Sequence, residues 1–354
     1  MIRIAIAGVG NCCSNLIQGL YYYRKNKSDG LSYPILGGYK VSDIKVCAAF
    51  DVAKNKVGKD LSEAIFESPN NTVKIVKVPK LNVPVMKGPV LDGIGKYMKN
   101  VVEIDKKQKS VKVSKVLEDL GIDVLINFLP VGSERATKFY ASEALKAGCG
   151  FLNAIPAFIA SDKKWAEKFR KAGVPIIGDD TKSQVGATIL HRTLVKLCRD
   201  RGAIIDRTYQ LNFGGNSDFY NMLERERLKS KKISKTEAVQ SQMKKRLPDE
   251  KIHIGPSDFV PWLKSRKIAY IRIEGRLFAD IPFSIEAKLD VEDKANSSGT
   301  VIDAIRCLKI ALDRGISGPL ISPSAYFCKH PPIQLSDEEA KRRLEMFIEG
   351  KIER

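Results

Sequence analysis

The segment Leu228 to Lys235 reads LKSKKISK and sets Lys231 four residues before Lys235, so on a helix the two ammonium groups share a face. Like charges at that spacing repel, which leaves three readings. A solvated lysine face is the plainest. A phosphate between the two turns repulsion into binding, and without an anion each cation lowers its neighbour's pKa toward the range useful for proton transfer. Just upstream, Asn212 to Asp218 is a polar, glycine-containing loop that ends in a carboxylate. Gly178-Asp179-Asp180-Thr181-Lys182-Ser183 follows a strand candidate, which puts two carboxylates and a lysine where α/β proteins gather their sites; a polar surface loop is the competing reading. His191, His253 and His330 have neither an i, i+4 pairing nor the spacings of a zinc centre. A divalent ion held by carboxylate and backbone oxygens beside a phosphate stays open, with Asp218, Asp258 and Asp293 available.

A second group of residues suits a dinucleotide. Ile4 to Ala7 is a short apolar run, Gly8-Val9-Gly10-Asn11-Cys12 follows it, and a helical pattern starts near Leu16. Strand, glycine turn and helix bring backbone N–H groups close to a pyrophosphate at a helix N-terminus. Cys13 stands where the third glycine of the usual fingerprint would be. A second strand candidate, Ile44 to Phe50, ends at Asp51, the acidic position expected to meet ribose hydroxyls. Leu129-Pro130-Val131-Gly132-Ser133-Glu134 also leads from a strand into a helix, which makes Ser133 an N-cap candidate facing the same crevice.

The elements that must position these groups can be read from periodicity. Strand candidates at 124–129, 151–154 and 175–178 alternate with helical patterns at 134–147 and 163–172, which predicts a parallel, doubly wound sheet. Between the first two strands lies a long insertion, residues 25–42, rich in Gly, Tyr and Pro. From about Ile204 the pattern changes to alternating strands such as 269–275 and 283–289, predicting an α+β unit with one sheet face exposed or used for assembly. A helix over 301–312, a Pro/Gly-rich segment over 315–332 and a charged helix over 336–349 complete the chain. The division expected is a Rossmann-like α/β unit, residues 1–200 with 301–354, and a catalytic and assembly unit, 201–300.

Composition narrows the class. The 354 residues are 44% hydrophobic and 29% charged, and the apolar runs are short, so disordered and membrane-spanning chains are poor fits. The seven cysteines have no C-x-x-C spacing and are too sparse for a disulfide framework. The first eight residues enter a strand pattern and lack the features of a signal peptide, so the cytoplasm is the expected location. The net charge of +19 suits nucleic acid, an anionic membrane surface or an anionic substrate, but it is spread along the chain with no helix-turn-helix, zinc-finger or aromatic RNA-binding signature, which argues against nucleic acid.

Taken together the motifs resemble the myo-inositol-phosphate synthase family in its shorter archaeal and actinobacterial form. The resemblance runs nearly end to end. It rests on GVGNC at Gly8 to Cys12, AAFD at Ala48 to Asp51, LDGIGKY at Leu91 to Tyr97, LPVGSE at Leu129 to Glu134 and GDDTKSQVGAT at Gly178 to Thr188. GGNSDF at Gly214 to Phe219, SKKISK at Ser230 to Lys235, GPSDFVPWL at Gly255 to Leu263 and AYFCKHPP at Ala325 to Pro332 extend it.

The resemblance implies conversion of D-glucose 6-phosphate to a myo-inositol monophosphate by a homotetramer, with NAD consumed and regenerated in each turnover: oxidation at C5, loss of a C6 proton, aldol attack of C6 on the C1 aldehyde, and re-reduction. It implies an active site of Lys231, Lys235, Lys267 and Lys329, with Lys231 and Lys329 in proton transfer and Lys235 and Lys267 on phosphate and oxyanion. Asp218 and Asp293 would orient hydroxyls or a lysine. Gly8, Val9, Gly10, Asn11, Cys12, Asp51, Pro130, Ser133, Asp180 and Lys182 would serve the cofactor. Two departures matter. Ser265 replaces an aspartate expected two residues before Lys267, which puts an ion pair there in question, and His330 follows Lys329 where a small residue is usual and would influence that lysine. A conventional dehydrogenase of a phosphorylated polyol or semialdehyde is the alternative, separable by net NADH release.

Overall fold

Strand β1 (Ile2–Ala7) reads IRIAIA and is buried along almost its whole length, the signature of a strand covered on both faces. In this computed structural model, which describes residues 1–24 and 28–354, it lies inside a seven-stranded sheet, between β4 (Ile44–Asp51) and β6 (Val124–Asn127). The other members are β5 (Val85–Lys87), β7 (Gly150–Asn153), β8 (Pro175–Ile177) and β13 (Gly318–Pro319). All pairings are parallel, in the order β13-β8-β7-β6-β1-β4-β5. From β5 to β8 this is the dinucleotide-binding order 3-2-1-4-5-6, whose direction reverses between β1 and β6 and opens a crevice at their carboxyl ends.

Apolar cores cover both faces. On one side α1 (Asn11–Tyr23) packs with α9 (Ala295–Asp313), α10 (Ile321–Phe327) and α11 (Asp337–Ile348); on the other lie α3 (Val113–Asp119), α4 (Glu134–Lys146) and α5 (Lys163–Lys171). The short α2 (Leu61–Ala64) borders the first core. Of the insertion at 25–42, residues 25–27 lie outside the described residues. The rest forms a small ladder, β2 (Ile35–Leu36) with β3 (Tyr39–Lys40), anchored when the buried Arg306 of α9 donates to the carbonyls of Tyr33 and Tyr39. Helix α10 arises inside the Pro/Gly-rich segment because Pro323 falls in its first turn, where a missing N–H costs nothing.

A second, four-stranded sheet has the order β10-β9-β11-β12. Strand β9 (Ile204–Gly214) is parallel to β10 (Ile252–Phe259) and antiparallel to β11 (Arg266–Arg276), which pairs with β12 (Pro282–Glu292). Helices α6 (Ala187–Asp200) and α8 (Lys229–Gln240) cover its inner face, while the short α7 (Ser217–Asn221) follows β9. Helix α6 therefore belongs structurally to this sheet although it precedes residue 201. In the same way α9 begins at Ala295, directly after β12, and runs back beneath the large sheet. The outer face of the second sheet carries an ion-pair lattice of Arg207, Arg272, Glu274 and Glu286. Among the described residues no helix is long and apolar enough to cross a membrane.

Candidate active site

Helix α8 buries Lys231, Ser234, Lys235, Ala238 and Val239, a stripe at i, i+3, i+4, i+7 and i+8. Its apolar C-terminal part packs on α6 and β10, while its N-terminal part turns two ammonium groups into a cavity. That cavity lies where the carboxyl ends of the large sheet meet the ends of β9, β11 and β12. Its lining includes Lys231, Lys235, Lys267, Lys329, Asp180, Asp218 and Asp293, brought together from six separate segments. A second cavity, lined by Gly8, Val9, Asp51 and Pro130, adjoins it across Gly10, Leu129 and Ser217. Their volumes are about 1320 and 820 Å³ including the open mouths.

Each carboxylate of the larger cavity holds at least one lysine. Lys231 Nζ lies 3.2 Å from Asp218 Oδ2, Lys329 Nζ 2.7 Å from Asp180 Oδ1, and Lys267 Nζ bonds Asp293 Oδ1. The carboxylate for Lys267 thus comes from the end of β12, so Ser265 leaves no gap in the ion pairing. Burial alone would raise the carboxyl pKa of Asp218, but Lys231 and Lys294 outweigh it and hold the group well below the usual range. Asp293 and Asp180 are lowered against the same burial cost, by Lys267 with Lys294 and by Lys329 with Lys231 respectively. Asp180 also accepts from Ser234 Oγ at 2.6 Å, and its φ of +62° is a left-handed backbone uncommon for an aspartate.

Lys235 is different. Among the described residues its ammonium has no hydrogen bond or ion pair, although it is buried. Burial lowers its pKa well below the ordinary lysine value, and Lys231, Lys267 and Lys329 lower it further. An unpaired buried amine among three ammonium groups is a place for an anion.

The glycine turn has the properties of a pyrophosphate cradle. Gly8 has φ +96°, and a Cβ there would sit 2.7 Å from the Phe128 carbonyl oxygen. A Cβ on Gly10 would meet nothing within 4 Å, so the turn faces open space. Among the described residues no side chain caps the first-turn N–H groups of α1, leaving them for an anion. Asp51 braces this turn: one oxygen accepts from Val9 N at 2.8 Å, and the other from Val52 N and Ala53 N at 2.7 and 2.9 Å. Asn11 accepts from the backbone N–H groups of Asn71 and Thr72 and so pins that loop beside the turn, while Cys12 lines the larger cavity.

Four expectations need correction. Ser133 stands at the N-cap of α4, but its fully buried hydroxyl donates back to the Pro130 carbonyl at 2.5 Å and lines neither cavity. Asp92 does the capping, accepting from Arg135 N and Ala136 N at 2.6 and 2.9 Å. Lys182 lines the cavity, yet its ammonium points to the Ala325 carbonyl and Asp337, at 2.9 and 3.0 Å, and ties in the terminal helix. Asp258 is exposed on β10 and lines neither cavity. Finally, His330 stacks on Phe158 with ring centroids 4.1 Å apart, while Lys329 bonds Asp180 and the Thr181 carbonyl.

Lysine 294 escaped the sequence reading. Its only signal was adjacency to Asp293, and ordinary β-strand endings also carry lysines. The fold turns its ammonium inward, 3.1 Å from Asp293 Oδ2 and 3.2 Å from Asp218 Oδ2. Lys56 was missed too; its buried ammonium donates to the Val9 carbonyl at 2.7 Å and supports the glycine turn from behind.

Residues 186–294, which include β9, α8, β11 and β12, match the family model described as myo-inositol-1-phosphate synthase. The chain is 57% identical to an inositol-3-phosphate synthase of Mycolicibacterium smegmatis, covering 99% of this chain and 98% of that one. It is also 57% identical to an inositol-3-phosphate synthase of Mycobacterium tuberculosis, covering 99% and 96%. Among solved structures, a myo-inositol-1-phosphate synthase-related protein from Thermotoga maritima shares the fold with a TM-score of 0.81, at 24% identity and over 99% and 98% of the two chains.

Proposed function

The chain belongs to the myo-inositol-1-phosphate synthase family, and from that premise we propose that its two adjoining cavities bind NAD and glucose 6-phosphate and close the sugar into an inositol 3-phosphate. It is an isomerase-type enzyme, and the dehydrogenase alternative falls away, since relatives matching it end to end are named inositol-3-phosphate synthase. When bound, NAD supplies a hydride acceptor that returns what it takes, so no redox change remains after a turnover.

The residues divide the remaining work. Lys235 holds the substrate phosphate, because among the described residues its amine is paired to no carboxylate and a bound phosphate returns the proton that burial and three ammonium neighbours disfavour. Lys267, fixed by Asp293, faces the oxygen on C5 and stabilises negative charge that develops there when the C6 proton leaves. Lys231 and Lys329 move the protons, one at the C5 oxygen and one at C6. Asp218 and Asp180 hold these two ammonium groups in place and keep them from drifting onto the phosphate. The uncapped N-terminus of α1 receives the pyrophosphate and Asp51 the ribose, while Val131, Phe219 and Met222 give the cavity a dry wall.

The same reading places the protein in the cytoplasm as a homotetramer built through the outer face of the second sheet, and light scattering should give the mass of four chains. The observation that carries the proposal is the unpaired Lys235 beside paired lysines at the mouth of a dinucleotide crevice. Its test is product analysis of glucose 6-phosphate incubated with substoichiometric NAD+. Inositol phosphate should form well beyond the NAD+ supplied, with no build-up of NADH; NADH released in step with substrate loss would overturn it.

A further inference from the structure

The two carboxylates best placed to grip a divalent ion, Asp218 and Asp293, already share a cation. Lys294 Nζ stands between them at 3.2 and 3.1 Å, ordinary charge-assisted hydrogen-bond distances. Each carboxylate holds one further ammonium, from Lys231 and Lys267. Two negative groups therefore meet three positive ones, and the cluster is one charge positive before any ligand arrives. Among the described residues no three His, Cys, Asp or Glu side chains converge to complete a metal's ligand set.

We infer that Lys294 is the built-in cation of this site: its ammonium bridges Asp218 and Asp293 where a divalent metal would otherwise bridge them, and turnover needs no divalent cation. The inference rests on the proposed ring-closing site and adds a positioning residue to it. Three features support it. A divalent ion bridging the two carboxylates would sit 2.0–2.6 Å from their oxygens, so it must displace Lys294 into a positively charged, largely buried cavity. The ammonium has three donors, and its two carboxylate bonds leave one for a ligand oxygen beside Gly10, Asn11 and Cys12, which line the same cavity. The carboxylates hold the Lys294 proton against burial, so the bridge stays charged across the working pH range.

The test uses full-length protein dialysed against a chelator, and it reads metal binding apart from turnover. Wild-type protein should keep its rate of inositol phosphate formation in EDTA and show no bound Mn2+ by electron paramagnetic resonance. Lys294→Ser should lower kcat by about 10-fold or more, as expected when a charge-assisted bridge is lost. The same variant should gain a Mn2+ signal and recover part of its rate when Mn2+ is added. Lys294→Arg, which keeps the charge, should stay metal-independent. Loss of wild-type activity in EDTA with recovery by metal, or a Mn2+ signal equal in wild type and Lys294→Ser, would overturn the inference. If Lys294→Ser fails to fold, the EDTA and resonance measurements on wild type still decide. If no inositol phosphate forms at all, the proposed function fails, while the resonance result still reports on the bridge.

Discussion

Lys231 and Lys235 are one helical turn apart on α8, yet their surroundings give them different chemistry. Lys231 is anchored by Asp218, so Lys231→Ala should cut turnover by about 100-fold or more, in the range of a general acid or base, and leave NAD+ affinity near the wild-type value. Lost NAD+ binding in calorimetry would move this lysine to the cofactor side. Lys235 lacks such an anchor, and Lys235→Met should raise KM by roughly 10- to 100-fold, the worth of a hydrogen bond to a charged group. The pH dependence has a definite sign. The free Lys235 amine sits well below the ordinary lysine range, and a bound phosphate returns its proton. Above that lowered pKa, binding must take up a proton, so glucose 6-phosphate affinity should fall as pH rises, and Lys235→Met should flatten the profile. An affinity that rises with pH in wild type would contradict the assigned role.

At the scale of elements, the cofactor crevice depends on supports that are not themselves part of it. Helix α4 follows the LPVGSE turn, and its first N–H groups are satisfied by Asp92, from a loop whose Leu91, Gly93 and Ile94 line the second cavity. Asp92→Ala should cost about 1 kcal/mol of stability, the usual worth of a cap, and should also weaken NAD+ binding because the loop loses its tether to α4. Denaturant unfolding and calorimetry on one preparation check both effects, and unchanged unfolding would show that another group caps the helix. The local pattern around Ser133 suggested a self-capping turn. Only the approach of a segment 43 residues away in sequence made Asp92 the better acceptor and freed the serine to bond its own turn.

At the scale of the whole molecule, stability and pH are linked through the packing of α6 on the second sheet. His191 of α6 is fully buried, with Nε2 2.8 Å from Thr208 Oγ1 of β9, and burial lowers its pKa from 6.5 to about 4. The unfolded chain binds this proton below about pH 6.5 while the folded one refuses it until near 4, so stability falls as pH drops through that window. Protonating His191 in the fold costs about 3 kcal/mol, and His191→Gln should remove that share of acid sensitivity. Melting curves of both proteins between pH 7 and 4 check this; parallel loss of stability would reject it. The sequence by itself determined what lies within reach of a single element. The first strand, the glycine turn, the acidic end of β4 and the common face of Lys231 and Lys235 follow from periodicity and residue type. Which carboxylate meets which lysine did not, because those pairs span 13, 26, 76 and 149 residues. Such partners are chosen only when strand ends, α8 and the connecting loops pack together in three dimensions, and that packing turned Lys294 from a strand-end lysine into a bridge.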